Sequence, residues 1–263
     1  MCGRIVQTKT SDYVALFDVD QDDTANFTPT WNLKPTQSAL VVADGDKDGI
    51  RRLTPARWSL VPTWSTELRL TFPTFNARIE TAGQKPTFRA SMKRRRCVFP
   101  IDGYYEWQTV GKTKTPYFVH AGSETTPLAL AGLYSWWRDP SAHASHDAPT
   151  TGGRGGSAAS AAPDSAADAS REPGAHGDGW VLTATVLTQP AAPELDWLHD
   201  RMPVVLDPHV SGRGLLDAWL DPNVDGSDLA HDVEAASAAA AESIVWHQVS
   251  PLRGDGPELI API

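Results

Sequence analysis

Residues 96–121 have the sequence RCVFPIDGYYEWQTVGKTKTPYFVHA, in which we predict three strands, at residues 96–100, 104–108 and 116–121. The runs are short, rich in apolar and aromatic residues, and separated by only a few residues. Strands that follow one another so closely are typical of antiparallel or barrel-like sheets, and not of alternating strand–helix–strand units.

The same pattern continues in both directions along the chain. Further strands are predicted at residues 4–7, 39–42, 56–61, 128–135, 181–188, 204–206 and 244–249. Short helices are predicted at residues 11–17 and 214–220, and an Ala-rich surface helix at residues 228–241. The chain has 263 residues, 41% of them hydrophobic, which is enough to bury a sizeable core. We therefore expect an α+β protein, a single β-rich domain over residues 1–263 with antiparallel or barrel-like sheets and a few short helices.

One segment departs from this pattern. Residues 139–179 consist mainly of Ala, Ser, Gly, Asp and Pro, with almost no bulky apolar residue. Such a segment cannot bury enough surface to offset its ordering entropy, so we predict a disordered insert within the domain. Its histidines, His143, His146 and His176, are irregularly spaced, which favours a solvated loop over a metal site. We expect no metal and no other cofactor.

The composition also restricts compartment and redox state. No apolar run approaches the ~18 residues that a spanning helix needs, and the N-terminus lacks the basic and apolar regions of a signal peptide. We therefore expect a cytoplasmic protein without a membrane span. In that reducing compartment Cys2 and Cys97 are not expected to form a disulfide, and Cys97 is predicted to be a small buried apolar residue in a strand.

The distribution of charge bears on DNA as a partner. The net charge of −9 has the wrong sign for a nucleic-acid-binding protein, because phosphates are neutralised by Lys and Arg. However, residues 139–179 contain six acids and two arginines, and residues 221–242 contain six acids and no Lys or Arg. The remainder has 21 basic and 20 acidic residues, a net charge of +1. The acidic total therefore does not exclude DNA, although such a body should bind undamaged DNA weakly.

The chain begins Met1-Cys2-Gly3-Arg4. A small second residue permits removal of the initiator Met, which would leave Cys2 with a free α-amine beside its thiol. The ordinary pKa values, ~7.7–8.0 for the amine and ~8.5 for the thiol, leave a usable fraction of each nucleophilic at neutral pH, and modest tuning would increase it. Such a 1,2-aminothiol forms a Schiff base with an aldehyde, which the thiol then closes to a thiazolidine ring.

Three further segments supply polar or ionisable groups. Asn76, Arg78 and Glu80 alternate, which on a strand would place them on one face. Glu106 lies in an aromatic and apolar stretch, where a carboxylate is either paired with a cation or has a raised pKa that suits a general acid–base. His199 precedes two other ionisable residues and is the natural proton shuttle near pH 7.

These segments belong to a set of motifs that follow one order along the chain. The set comprises MCGR at residues 1–4, WNLKPTQ at 31–37, WSLVPTW at 58–64, NARIE at 76–80, RCVFPIDGYYEW at 96–107, AGLYSWW at 131–137 and HDRMPVVL at 199–206. With them the chain resembles the SOS response-associated peptidase family, the abasic site processing proteins, from residue 1 to the C-terminal VSPLRGDGPELIAPI. The insert lies outside this pattern. Ser59 stands where the family usually has Gly, and Leu252-Arg253 where many members have Val-Asn.

The resemblance implies a mechanism. Met1 is removed, and Cys2 forms a thiazolidine with the ring-opened aldehyde of an abasic deoxyribose in single-stranded DNA, which shields the lesion. Asn76 orients the α-amine or the sugar, Glu106 moves protons during Met removal and ring closure, and His199 assists the Schiff-base chemistry. The family is also credited with a strand-cleaving lyase side reaction and with slow crosslink reversal. The implied partner is abasic single-stranded DNA, for which a monomer suffices.

Four residues are candidates for holding DNA. Arg4, Arg78 and Arg201 would contact phosphates, because a planar guanidinium can grip two oxygens. Trp107 would stack on or wedge against a base, although core packing is the commoner role for any one of the ten tryptophans. The sequence KRRR at residues 93–96 is either a phosphate-binding patch or a solvated turn.

Two other functions compete with DNA crosslinking. A peptidase or amidohydrolase acting in trans would use Cys2 as its nucleophile, Glu106 or His199 as the base, and Asn76 in an oxyanion hole. A noncovalent single-strand-binding module would need the Arg and Trp residues but not Cys2. A 1,2-aminothiol is matched to aldehydes, whereas such a peptidase needs water to release an acyl-enzyme, so the sequence favours crosslinking.

Overall fold

The computed structural model describes residues 2–123, 126–140, 179–206 and 213–263. The strands are β1 (Ile5–Gln7), β2 (Gln21–Asp22), β3 (Thr30–Leu33), β4 (Ser38–Asp44), β5 (Arg51–Trp58), β6 (Asn76–Arg78), β7 (Arg96–Ile101), β8 (Gly103–Val110), β9 (Thr113–Ala121), β10 (Leu128–Arg138), β11 (Trp180–Pro190), β12 (Arg201–Pro203) and β13 (Ile244–Gln248). The helices are α1 (Thr10–Leu16), α2 (Ile79–Ala82), α3 (Arg89–Arg94), α4 (Arg213–Leu220) and α5 (Gly226–Ala241), and a short 3-10 helix follows at Pro257–Ile260. This confirms the predicted β-rich α+β class.

The strands form two sheets. The smaller has the order β13-β9-β8-β1-β3, and the larger has the order β12-β11-β10-β7-β4-β5-β2, with β6 paired to β11. Because β5 also pairs in parallel with β11, the strands β11, β10, β7, β4 and β5 close into a barrel. Most ladders are antiparallel, as predicted, and the parallel pairs are β11–β5, β11–β6 and β2–β5.

The barrel strands contribute side chains to two cores, because successive residues of a strand point to opposite faces. On β10, Leu128 and Leu130 belong to one apolar cluster, whereas Ala129 and Ala131 belong to another. The first cluster joins the barrel strands to the smaller sheet and contains Cys2. The second joins them to the helices. The N-terminal cysteine therefore lies in the core between the two sheets.

A corner between β7 and β8 connects the two sheets. The Asp102 carboxylate accepts hydrogen bonds from the Thr8 backbone N–H (2.8 Å) and the Tyr13 hydroxyl (2.6 Å). A Cβ atom on Gly103 would lie 2.4 Å from the Phe118 ring, so only glycine fits there. The corner is thereby tied to the end of β1, which sets the register of β8 beside the N-terminal segment.

The structure differs from the predicted elements at two functionally relevant places. The strand expected at residues 204–206 is β12, at residues 201–203, because the backbone of Val204 bonds to both Leu187 and Ala131 instead of continuing one ladder. The pattern at residues 76–80 is not one strand. The ladder of β6 with β11 ends at Arg78, and α2 begins at the next residue, so Glu80 lies on a helix and does not share a strand face with Asn76.

The predicted disordered insert and its three histidines fall almost wholly on residues 141–178, outside the described residues. On either side of it, the Asp139 N–H donates to the Gly179 carbonyl at 2.9 Å, so the described ends lie side by side. Within the described ranges, no helix has the length and apolar character needed to cross a membrane.

Candidate active site

Cys2 is fully buried and lies three residues before the start of β1. Because β1 lies between β8 and β3, the N-terminal segment is held inside a sheet and not at its edge. Burial, and then the nearby Glu106 carboxylate, raise the pKa of the Cys2 thiol well above its ordinary value. The positive charge of the N-terminal amine and a hydrogen bond with the Arg4 backbone lower it only in part. The environment therefore keeps the thiol protonated, in contrast to the modest activation that the sequence suggested.

The Asn76 side chain forms a hydrogen bond with Cys2. It begins β6, and its Nδ2 donates a hydrogen bond to the Cys2 backbone carbonyl at 2.7 Å. Its Oδ1 is buried and accepts no hydrogen bond from any residue that the structure describes. The Asn76 amide thus holds the backbone of Cys2 and keeps an acceptor atom available beside it.

Glu106 and Tyr104 are two residues apart on β8 and therefore share one face of the strand. Glu106 is only 6% exposed, and its Oε1 accepts a hydrogen bond from the Trp107 backbone N–H at 3.2 Å. Burial, then Cys2 and Glu106, raise the pKa of Tyr104. Cys2, Tyr104 and Glu106 are therefore close enough to influence one another electrostatically. Tyr104 was not singled out from the sequence, although its spacing from Glu106 could have identified it.

His199 lies in the connection between β11 and β12. Its side chain is 31% exposed, and its Nδ1 lies 2.7 Å from the Asp200 carboxylate and 3.0 Å from the Arg201 backbone nitrogen. Leu195 and Leu198, on the same connection, pack in the cluster that contains Cys2. The connection therefore packs on the core to which Cys2 belongs, while the described side-chain contacts of His199 are with its own neighbours in sequence.

Arg78 is exposed and lines a groove of about 200 Å³ that also contains Asn76 and Lys85. A candidate DNA-binding arginine thus lies in a groove with a residue that contacts Cys2. Lys85 lies in none of the sequence motifs, and only the folded structure brings it to this groove.

The other candidate arginines are engaged by protein groups. Arg4 donates from Nη1 to Asn32 Oδ1 at 2.5 Å, and the Asn32 side chain in turn donates to the Gly254 carbonyl at 2.7 Å. Both terminal nitrogens of Arg201 contact the Glu80 carboxylate, at 2.5 and 3.0 Å. The Arg201–Glu80 ion pair would have to open before Arg201 could bind a phosphate, whereas Arg78 has no such requirement within the described residues.

Trp107 and Arg96 have surroundings typical of packing residues. Trp107 points to the face of β8 opposite Glu106 and packs against a small cluster that includes Tyr105 and Phe118. Arg96 is only 1% exposed, and its guanidinium donates to the carbonyls of Trp219 and Lys93, both at 2.6 Å. The interpretation of residues 93–96 as one phosphate patch or one solvated turn is therefore wrong for Arg96, because its charge is buried against helix ends.

The remaining residues singled out from the sequence have local roles. Cys97 is fully buried and unpaired in β7, as predicted for a small apolar residue. The Ser59 hydroxyl lies 2.9 Å from the Thr74 hydroxyl, two residues before Asn76. Arg253 is exposed beside Gly254, whose carbonyl holds Asn32. No group of three or more His, Cys, Asp or Glu residues suited to a metal ion occurs among the described residues.

Comparisons with known proteins identify the family. A family model described as SOS response associated peptidase (SRAP) matches residues 1–254. Abasic site processing protein YoqW of Bacillus subtilis (strain 168) is 28% identical over 269 residues, covering 99% of each chain. Abasic site processing protein HMCES of Xenopus tropicalis is 26% identical over 306 residues, covering all of this chain and 78% of that one. A crystal structure of a protein from Bacteroides thetaiotaomicron has the same fold, with a TM-score of 0.68 at 18% identity over the full length of both chains. The match to the family model over nearly the whole length means that this chain belongs to the SRAP family.

Proposed function

We propose that, after removal of Met1, Cys2 forms a covalent thiazolidine crosslink with an abasic site in single-stranded DNA. The proposal is carried by two groups that act on Cys2. The Asn76 amide donates a hydrogen bond to the Cys2 carbonyl at 2.7 Å, and the Glu106 carboxylate raises the pKa of the Cys2 thiol. The names of the relatives, abasic site processing proteins, support the same class of substrate.

The crosslink forms in two balanced steps. The α-amine of Cys2 adds to the ring-opened aldehyde and, after loss of one water, leaves a C=N bond. The thiol sulfur then bonds to that carbon, the S–H proton leaves, and the nitrogen gains a proton, which closes the thiazolidine. Because the thiol pKa is raised by burial, the second step needs a base beside the sulfur, and Glu106 is that base.

Asn76 positions the nucleophile. Its Nδ2 already holds the Cys2 carbonyl, so its buried Oδ1 is the atom available to accept a hydrogen bond from the new α-amine. An amine held in this way is oriented toward an incoming aldehyde.

His199 and the groove beside Asn76 complete the proposed site. His199 would move protons while the sugar ring opens to the aldehyde and while the amine adduct loses water. It would do so through the ring nitrogen that does not face Asp200. Arg78 and Lys85 would neutralise phosphates of the strand whose lesion reaches Cys2. Arg4 would mainly hold Asn32, and Arg201 would mainly hold α2 through its ion pair with Glu80. Trp107 would act by packing. One copy of the chain supplies all these groups, so a monomer suffices.

The same arrangement would act on the chain itself. Removal of Met1 is hydrolysis of the Met1–Cys2 peptide bond, which consumes one water and yields the free amine. Glu106 would deliver the protons for this step. The strand-cleaving lyase reaction attributed to the family would start from the same Schiff base whenever ring closure is slow.

The test uses single-stranded DNA that carries one abasic site. Purified protein should form an adduct that survives heating and denaturing electrophoresis, and intact mass should indicate that Met1 is absent. Cys2→Ala should abolish the adduct, whereas Cys97→Ala, the matched control at the other buried cysteine, should retain it. An adduct that persists in Cys2→Ala, or binding without any adduct in the wild type, would refute the mechanism.

A further inference from the structure

The connection that carries His199 reaches from one sheet to the other. It comprises residues 191–200, all of which the structure describes, and none of them belongs to a helix or a strand. Its two ends are held by the larger sheet, through the β11–β12 ladder and through the Ala191 N–H, which donates to the Asp200 carbonyl at 3.0 Å. Its middle contacts the smaller sheet through Trp197. The place of His199 therefore depends on contacts between side chains as well as on a strand ladder.

Trp197 packs against two aromatic residues of the smaller sheet. Its ring centroid lies 5.0 Å from that of Tyr117 on β9, and the two rings are nearly perpendicular, at 86°. It lies 5.6 Å from the ring centroid of Trp246 on β13. Edge-to-face contacts at these distances are favourable and depend on orientation. Because Nε1–H of Trp197 also donates to the Glu194 carbonyl at 2.9 Å, the ring is fixed to its own connection as well as to the smaller sheet.

Tyr117 relates this contact to the candidate active site. It lies directly opposite Glu106 in the β8–β9 ladder, and residues that are directly opposite point to the same face of a sheet. Tyr117 also packs against the apolar cluster that contains Cys2. His199 follows Trp197 by two residues. The contact between Trp197 and Tyr117 thus joins the connection that carries His199 to the strand pair that carries Glu106.

Packing in the core does not by itself account for Trp197. Leu195 and Leu198 of the same connection are nearly buried in the cluster that contains Cys2, and they already attach the connection to the core. Trp197 and Trp246 are each 36% exposed. An aromatic contact at the surface buries less apolar area than one in the core, but it still fixes the distance and angle between the two segments that meet there.

We propose that Trp197 is a positioning residue, which holds His199 in place relative to Glu106 by attaching residues 191–200 to Tyr117. The inference rests on the proposed function, in which His199 and Glu106 move protons in successive steps at one carbon of the abasic sugar. The two groups belong to different sheets, so their separation has to be fixed by contacts between the sheets. A misplacement of about 1 Å can cost on the order of 10² in rate.

Single-turnover crosslinking tests this role, with protein in excess over single-stranded DNA that carries one abasic site. Trp197→Ala should slow crosslinking about tenfold or more, because His199 is no longer held in place. Trp197→Phe should react at close to the wild-type rate, since it keeps an aromatic ring beside Tyr117. Trp180→Ala removes a tryptophan of similar exposure at the start of β11, and this matched control should react as the wild type does.

Two further measurements separate positioning from DNA binding and from a general loss of structure. A strand with a tetrahydrofuran analogue at the lesion has no aldehyde, and its affinity, measured by fluorescence anisotropy, should be the same for wild type and Trp197→Ala. In a His199→Ala background, Trp197→Ala should slow crosslinking no further, because the ring acts through His199. Equal slowing in both backgrounds would overturn the inference, as would a loss of affinity as large as the loss of rate.

Hydrogen exchange tests the attachment without DNA. The backbone amides of residues 191–200 should exchange faster in Trp197→Ala than in the wild type, whereas Trp180→Ala should leave their exchange unchanged. Unchanged exchange in Trp197→Ala, or a crosslinking rate equal to that of the wild type, would overturn the inference. Failure of the wild type to crosslink abasic DNA would instead refute the proposed function, because the exchange measurement does not depend on the covalent step.

Discussion

Replacing Glu106 by Gln separates the two ways in which this carboxylate acts on Cys2. The substitution keeps the shape of the side chain but removes its charge and its ability to accept a proton. Because the Glu106 carboxylate raises the pKa of the Cys2 thiol, the first effect of Glu106→Gln is to lower that pKa and make the thiolate more available. Burial is the larger cause of the raised pKa and is unchanged in this variant, so the gain in thiolate is the smaller effect.

The second effect opposes the first. General acid–base catalysis typically contributes about 10²- to 10⁴-fold to a rate, equivalent to ~2.7–5.5 kcal/mol. Loss of the base therefore outweighs the gain in thiolate, and crosslinking should slow at least about tenfold in Glu106→Gln.

The assay is single-turnover crosslinking with protein in excess over abasic single-stranded DNA, followed on denaturing gels. Because Glu106 is also proposed to remove Met1, each variant is prepared from a fusion that a protease cleaves to leave Cys2 at the N-terminus. Glu67→Gln, at an exposed glutamate, is the matched control and should react at the wild-type rate. A Glu106→Gln rate equal to or above that of the wild type would refute the assignment of Glu106 as the base.

Three further predictions follow from buried contacts. Asn76→Leu should slow crosslinking about tenfold, because loss of one partner of a buried hydrogen bond costs ~1–3 kcal/mol. It should not change the affinity for a single strand that carries a tetrahydrofuran analogue, which has no aldehyde, at the lesion. An equal loss of that affinity would instead make Asn76 a DNA-binding residue. Arg96→Met should lower the free energy of unfolding by about 3 kcal/mol or more, because the carbonyls of Trp219 and Lys93 lose their donor. In the same urea titrations, Arg94→Met should leave the free energy of unfolding unchanged. Burial raises the pKa of the Cys97 thiol, so the native state retains a proton that the unfolded chain loses above about pH 8.5, and the free energy of unfolding should fall as pH rises beyond that value. This alkaline decrease should be smaller in Cys97→Ala, and an unchanged decrease would contradict the prediction.

Much of the fold could be predicted because its signals are local. The strands that became β7, β8, β9 and β10 were identified by short runs of apolar and aromatic residues. The runs of β7 and β10 are largely apolar on both faces because these strands supply two cores. The Ala-rich segment became α5, which begins two residues earlier than predicted because the Asp225 side chain accepts a hydrogen bond from the Ser227 N–H. The ladder of β6 with β11 could not be predicted in this way, since it spans only three residues.

The candidate site was predictable in its members but not in its contacts. The motifs indicated Cys2, Asn76 and Glu106, yet the hydrogen bond between Asn76 and Cys2 joins residues 74 positions apart and depends on how two sheets meet. Glu80 shows the limit of local reasoning: its alternation with Asn76 suggested a strand face, whereas the structure places it on α2 as the ion-pair partner of Arg201.

The amino-acid sequence by itself determined the strand-rich class, the family motifs and the aldehyde-directed chemistry available to an N-terminal cysteine, because each of these depends on residue type and local spacing. Only the tertiary structure decided which groups act together and how they titrate. Burial raises the pKa of the Cys2 thiol, and the folded chain surrounds the Arg96 guanidinium with backbone carbonyls. Burial depends on everything that surrounds a side chain and not only on its neighbours in sequence.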